Sequence, residues 1–212
     1  MTGGPDLAAL TDQLEEARRL GFFGPRPVSE QIDHAIAFAA VLEACDVGPA
    51  AFLDLGSGGG LPGLLLATRW STEPGTLLDA SARRTAFLAR AVVTLGFAAR
   101  ISVVEGRAEL LGRDVGKRAS FALVVSRSFA APAVTAEVGG AFLPVGGVLA
   151  VSEPGNAEAD DRWPTEALER LGLSPAVVHQ GVGARVATMT RVTPVEDRWP
   201  RAVGIPTKRP LW

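Results

Sequence analysis

Short apolar runs alternate with amphipathic stretches along most of this chain, and the alternation sets the architecture to expect. Leu7, Leu10, Leu14, Ala17 and Leu20 recur at spacings of three and four between charged positions, which predicts a helix over 6–20 ended by Gly21. Ser29 is placed to cap a second, largely apolar helix running to about Ala44, with Glu30 in its first turn. Five apolar runs then read as strands: the run through Phe52 and Leu53, Gly75 to Asp79, Arg100 to Glu105, Phe121 to Val125, and Gly146 to Val151. Helical patterns separate them over Leu61 to Trp70, from a Ser81 cap to Leu95, and from about Ala131 to Phe142. Short, continuously apolar strands alternating with helices predict an α/β fold with a doubly wound, mostly parallel sheet covered on both faces. Beyond Val151 an acidic stretch predicts a loop and a helix from Asp160 to Leu171. Ala176 to His179 and Arg185 to Arg191, split by Gly181 and Gly183, predict an antiparallel C-terminal hairpin.

These patterns divide the chain into a helix and linker over 1–28, a main domain over 29–193 and an extended basic tail over 194–212 that holds four prolines. The 212 residues suffice for one full core, and 47% hydrophobic with 21% charged residues is ordinary for a globular chain. No apolar run reaches the roughly 20 residues of a membrane span, and the first residues lack a basic segment followed by an apolar one, so a cytoplasmic protein is expected. The one cysteine, Cys45, excludes an internal disulfide and a cysteine-built metal site, and its helix predicts a buried, inert thiol. A net charge of −2 excludes a general basic field for nucleic acid. The charge is uneven, however: residues 153–170 are net −4 and residues 191–212 net +3.

Candidate chemistry concentrates on Asp54-Leu55-Gly56-Ser57-Gly58-Gly59-Gly60-Leu61-Pro62-Gly63, a glycine turn between a strand and a helix. Glycines 56, 58 and 60 permit a tight turn and close approach of a ligand. Asp79, 19 residues after Gly60, is spaced to hydrogen-bond the hydroxyls of a ribose, or else caps the next helix. The loop spacing is G-x-G-x-G with an acid at its entry, whereas a pyrophosphate-binding turn is expected to have G-x-G-x-x-G. A carboxylate at position 54 is unfavourable beside phosphates and favourable beside the sulfonium and ammonium of S-adenosylmethionine; it also suits a hydrogen bond to the loop backbone. Four groups fall at the carboxyl ends of successive strands, where open sheets bind ligands: Asp54 with its glycines, Asp79, Ala108 with Glu109, and Arg127.

The run 52–63, with Leu77-Leu78-Asp79, Arg83-Arg84-Thr85-Ala86-Phe87-Leu88, Gly106-Arg107-Ala108-Glu109 and Ser126-Arg127-Ser128-Phe129-Ala130, resembles the RsmG (GidB) family over about residues 30–151. The end, from Trp199 to Leu211, is similar to the tail of actinobacterial members. The resemblance implies a Rossmann-like class I methyltransferase fold, S-adenosylmethionine as cofactor, and methylation of N7 of a guanine in 16S ribosomal RNA, with the RNA or small ribosomal subunit as partner. It places Asp54, Gly56, Gly58, Gly60 and Leu61 on the cofactor, Gly56 and Leu61 at its methionine part. Asp79 falls near the ribose, and Ala108 with Glu109 beside the adenine. Arg127 is implied at the mouth as the catalytic residue, touching cofactor and substrate, unless it pairs a nearby carboxylate; His34 is either a substrate contact or a structural histidine.

The chain also departs from the family. The Asn-Leu-Thr motif after paired basic residues is absent, Asp33 precedes His34 where the family has Arg, and Ser152-Glu153-Pro154 stands where it tends to have Lys-Gly. Each change removes positive charge from the side an RNA phosphate would approach. A small-molecule methyl acceptor therefore stays open as an alternative, as does a non-enzymatic binding module. The basic tail is either an RNA contact or a strap packing Trp199 and Trp212. N7 of guanine carries a lone pair and needs no deprotonation, which agrees with a chain without tyrosine and with only His34 and His179 as histidines. No metal is expected.

Overall fold

The apolar runs become a single seven-stranded sheet. A computed structural model of the protein describes residues 7–155 and 162–212. Strands β1 (Phe52–Leu55), β2 (Gly75–Asp79), β3 (Ile101–Glu105), β4 (Leu123–Ser126) and β5 (Val148–Glu153) are parallel. The hairpin of β6 (Val177–Gln180) and β7 (Arg185–Thr190) adds to the far edge, with β7 antiparallel to both β5 and β6. The order is β3-β2-β1-β4-β5-β7-β6. Chain direction across the sheet reverses between β1 and β4, so their carboxyl ends splay connections to opposite faces and open a crevice.

Strands β1, β2 and β4 are buried at every position because helices cover both faces. One face is covered by α1 (Leu7–Arg19), α2 (Val28–Ala44), α3 (Gly63–Arg69) and α4 (Ala82–Thr94), whose Leu10, Phe38, Leu64 and Phe87 join one core. The short α5 (Ala108–Leu111), α6 (Pro132–Gly140) and α7 (Thr165–Arg170) cover the other with Val138, Phe142, Trp163 and Leu168. Each such side chain contributes about 1.5–3 kcal/mol by leaving water. Leu10, Leu14 and Ala17 of α1 are fully buried in the first core.

Several local expectations change. Pro27, not Ser29, precedes α2, since its fixed φ of −53° suits a helix entry and lets Val28 begin the helix. Ser81 makes no side-chain cap at α4; its N–H instead donates to Asp79 Oδ1 at 2.9 Å. Helix α3 starts only at Gly63, because residues 57–62 are spent on the turn. The expected helix over Asp160 to Leu171 is confined to Thr165–Arg170 among the described residues; Asp160 and Asp161, like Glu158 and Asp6, lie outside them. Cys45 sits half-buried at the end of α2, 3.0 Å from His179 Nδ1, while His179 Nε2 is 2.8 Å from Thr188 Oγ1. Burial pushes the thiol up from its ordinary pKa, which keeps it in its unreactive form.

The tail is a strap. Trp199 is buried, and α8 (Ile205–Lys208) packs on α6. Arg201 clamps Glu137, a side chain with 0% exposure, at 2.6 Å, and the Arg201 backbone N–H donates to the same carboxylate. Arg113 and Arg118 donate to tail carbonyls of Arg198, Trp199, Pro200, Val195 and Glu196. Much of the local basic charge is thus committed to holding the chain end. Removing one partner of a buried pair strands the other. Arg201→Ala is expected to lower stability by about 3 kcal/mol, seen as a fall in Tm of roughly 6–12 °C in a thermal melt.

Candidate active site

The glycine turn leaves β1 at the crevice. Gly56, Gly58 and Gly60 take φ values of +75°, +55° and +104°, a region other residues enter only with strain. The turn is fastened to the sheet by the N–H groups of Gly56 and Ser57, both donating to Leu78 O at 2.9 Å, and closed by Gly60 N–H to Ser57 O at 2.7 Å. Its anchor is Asp54, 1% exposed, whose Oδ2 accepts the N–H of Gly63, the first residue of α3, at 3.0 Å. Gly63 must be glycine for this contact: a Cβ there would lie 2.5 Å from the same oxygen. The other oxygen, Asp54 Oδ1, is buried with no hydrogen-bond partner among the described residues. Burial pushes this carboxyl up to about 7, against the Gly63 hydrogen bond and the Arg127 charge, which favour the ionised form.

A cavity of about 630 Å³ opens over the turn. Gly56, Gly58 and Leu61 form its floor, Arg127 and Phe129 of the β4–α6 loop one wall, and His34 of α2 another. The Phe129 ring lies against Gly56, where a Cβ would come within 2.6 Å of it. Ser128 between them holds φ +58°, a strained conformation for a side-chain-bearing residue and one that recurs at functional loops. Arg127 has no hydrogen bond or ion pair to a described residue; the carboxylate that bears on it is that of Asp54, through its charge alone. Burial and the charge of Arg26 lower its pKa, while Asp54 opposes them. His34 Nε2 is 3.3 Å from Ser152 Oγ and its Nδ1 is buried without a partner. Burial, then Arg127 and Arg26, lower its pKa and keep the ring neutral.

The structure therefore brings Gly56, Gly58, Leu61, His34 and Arg127 to one cavity. Asp54 and Gly60 lie beneath the turn. Asp79, 6% exposed, is tied down by Gly58 N–H to Oδ2 and Ser81 N–H to Oδ1, both 2.9 Å, with Arg84 at 3.7 Å. Ala108 and Glu109 lie at the next strand end, outside the cavity lining. Glu109, 4% exposed, accepts hydrogen bonds from Arg107 at 2.8 Å and from the tail's Gly204 N–H at 3.2 Å. Burial pushes the Glu109 carboxyl up, but the Arg107 and Gly204 hydrogen bonds and the Arg107 charge together hold it below the ordinary value. Sequence reasoning passed over Phe22, Phe23 and Arg26, which lie in a segment with no periodicity, and Arg162, which lines the cavity from within the acidic stretch. The one available signal was the pair of adjacent aromatics in a polar linker.

These residues fit S-adenosylmethionine. Asp54 offers an orphaned carboxylate oxygen beneath the turn for a cationic group, and the Gly58 Cα faces open space, a Cβ there meeting only Gly56 O at 3.8 Å. Fold and crevice define a class I methyltransferase, dependent on S-adenosylmethionine. Similar folds include PigF with SAH (19% identity, TM-score 0.57, 77% of this chain and 65% of that one). Another is NcsB1, an O-methyltransferase from neocarzinostatin biosynthesis solved with S-adenosylmethionine and 2-hydroxy-5-methyl naphthoic acid (20%, TM-score 0.52, 67% and 49%). The chain belongs to the GidB family, rRNA small subunit methyltransferase G, whose pattern matches residues 10–169. "Ribosomal RNA small subunit methyltransferase G" of Moorella thermoacetica is 32% identical over 97% of this chain and 82% of its own length. The protein of the same name from Roseiflexus castenholzii is 34% identical over 77% and 71%.

The Asp54 carboxyl makes stability depend on pH with a definite sign. Folded Asp54 keeps its proton to about pH 7, whereas the unfolded side chain releases it near 3.8. The native state binds more protons between those values, so stability contributed by this group falls as pH rises through the window. Urea denaturation across that range is expected to show the wild type losing stability relative to Asp54→Asn as pH rises; parallel curves would contradict the assignment.

Proposed function

We propose that this enzyme transfers a methyl group from S-adenosylmethionine to N7 of a guanine in 16S ribosomal RNA, working in the cytoplasm. The carrying observation is the cavity: an unpaired Arg127 and a neutral His34 stand over a cofactor turn in a chain of the GidB family. The cofactor supplies a methyl group activated on a sulfonium. The N7 lone pair would take that methyl group directly, the leaving pair staying on sulfur, so no proton would have to be removed from the acceptor. The protein accordingly needs no general base. Its work is to hold the two reactants in line and to keep water out. Asp54 with Gly56 and Leu61 bears on the methionine part and Asp79 on the ribose. Asp79 is already poised at the turn, and exchanging its Gly58 contact for a ribose hydroxyl keeps its hydrogen bonding intact. Ala108 and Glu109 stand at the adenine end.

Arg127, desolvated and with its guanidinium in no hydrogen bond to a described residue, is suited to an electronegative atom of the acceptor, a phosphate oxygen or the guanine O6. The neutral His34 lines the same cavity and can turn a ring nitrogen to the base edge, to accept or to donate. Glu153, in the stretch where the family tends to have Lys-Gly, takes no charge from the cavity mouth, because Arg162 neutralises it at 2.6 Å.

Mass spectrometry of digested small-subunit RNA from cells lacking the gene is expected to show loss of one 7-methylguanosine, restored by the wild-type gene and not by Arg127→Ala. An unchanged nucleoside profile, with turnover of a small-molecule extract by the purified enzyme, would replace the RNA by a small-molecule acceptor.

A further inference from the structure

The cavity holds guanidinium charge that its surroundings do not neutralise. Of its lining arginines, Arg162 is paired with Glu153 at 2.6 Å and Arg84 lies 3.7 Å from Asp79. Arg26 and Arg127 have no hydrogen bond or ion pair to any described residue. Glu30 is the remaining acid at the lining, and it too makes no ion pair there. Two unpaired cations at one mouth repel each other, and Arg26 is near enough to bias both Arg127 and His34 toward their neutral forms. An anion between them relieves that repulsion.

Arg26 is exposed, yet the segment that carries it is fixed at both ends. The Phe23 ring lies against Gly59, where a Cβ would meet it at 2.6 Å. Phe22 packs edge-on against Phe87 with ring centroids 5.7 Å apart and lies 5.3 Å beneath the Arg83 guanidinium. Arg83 also donates to Leu20 O at 3.1 Å. Two residues after Arg26, α2 begins at Val28, which is 1% exposed. The linker thus crosses the cofactor turn and presents Arg26 on the acceptor side. The tail is the less suited place for an RNA contact, since its Arg201 is spent on Glu137, its Arg198 pairs Glu196 at 3.0 Å, and none of its residues lines the cavity.

We propose that Arg26, held over the cofactor turn by the Phe22–Phe23 anchor, is a substrate-binding residue that takes a backbone phosphate of the RNA acceptor beside Arg127. This rests on the ribosomal RNA reading above. The N-terminal linker, not the basic tail, then supplies the polyanion contact that the family's lost basic positions no longer make.

The test compares wild type, Arg26→Ala and Arg26→Lys, using small ribosomal subunits lacking the methyl group and a short fluorescein-labelled RNA carrying the target guanine. Arg26→Ala is expected to raise KM for subunits and weaken RNA binding about tenfold. It is also expected to flatten the slope of log affinity against log salt by about 0.7, the loss of one phosphate contact on a single strand. In the same variant kcat, S-adenosylmethionine affinity and Tm stay at wild-type values, and Arg26→Lys recovers the salt slope. Unchanged KM and salt slope in Arg26→Ala, with subunits still methylated, overturns the Arg26 role and leaves the function standing. A parallel loss of cofactor affinity also overturns it, marking Arg26 as a support for the turn. If wild type neither methylates subunits nor binds the RNA, the functional reading fails and this proposal with it.

Discussion

The hydrogen bond from Gly63 N–H to the buried Asp54 carboxylate is the constraint on which the cofactor side depends. It joins the end of β1 to the start of α3 and so sets the span of the glycine turn between them. Burial makes the same carboxyl costly to ionise. One oxygen is satisfied by the turn, while the other has no hydrogen-bond partner among the described residues. A fold seldom leaves a buried carboxylate oxygen unmade, and a site for a cationic cofactor gives this one a physical reason.

The crevice acquires its acceptor side from elements distant in sequence. The β4–α6 loop places Phe129 on Gly56 and Arg127 in the opening, α2 supplies His34, and the linker before α2 lays Phe23 on Gly59. Phe129 and Phe23 each touch the turn through an aromatic ring on a bare Cα, so these glycines serve packing as much as backbone geometry. The strap also reaches Glu109 through Gly204, and Trp212 Nε1 donates to Arg162 O, so the cavity-lining Arg162 rests on the chain's last residue.

Periodicity made the parallel sheet, the hairpin and the placement of Asp54, Asp79, Glu109 and Arg127 at strand ends legible, because each rests on local pattern and on one topological rule. The resemblance added the cofactor and the acceptor class. Ser29 is not the cap of α2, where Pro27 stands, whereas Ser81 does take the N-cap position of α4 but without a side-chain bond, its N–H held by the Asp79 carboxylate, since a serine in a plausible place says nothing about which neighbouring donor or acceptor wins. Arg26 and the Arg162–Glu153 pair stayed invisible for a different reason: their meaning comes from distance across the fold, and neither stands in a periodic segment. The tail's positive charge was visible, but not that Arg201 is committed to a buried glutamate 64 residues away in sequence.

Proton release on cofactor binding tests the central role of Asp54 most directly. With its carboxyl near 7 in the free enzyme, a cation placed against Oδ1 drives the proton off. Calorimetric titration with S-adenosylmethionine at pH 7, in two buffers of different ionisation enthalpy, counts those protons. The account predicts that wild type releases about half a proton more per bound cofactor than Asp54→Asn. Tight binding with equal proton release by both proteins would contradict it.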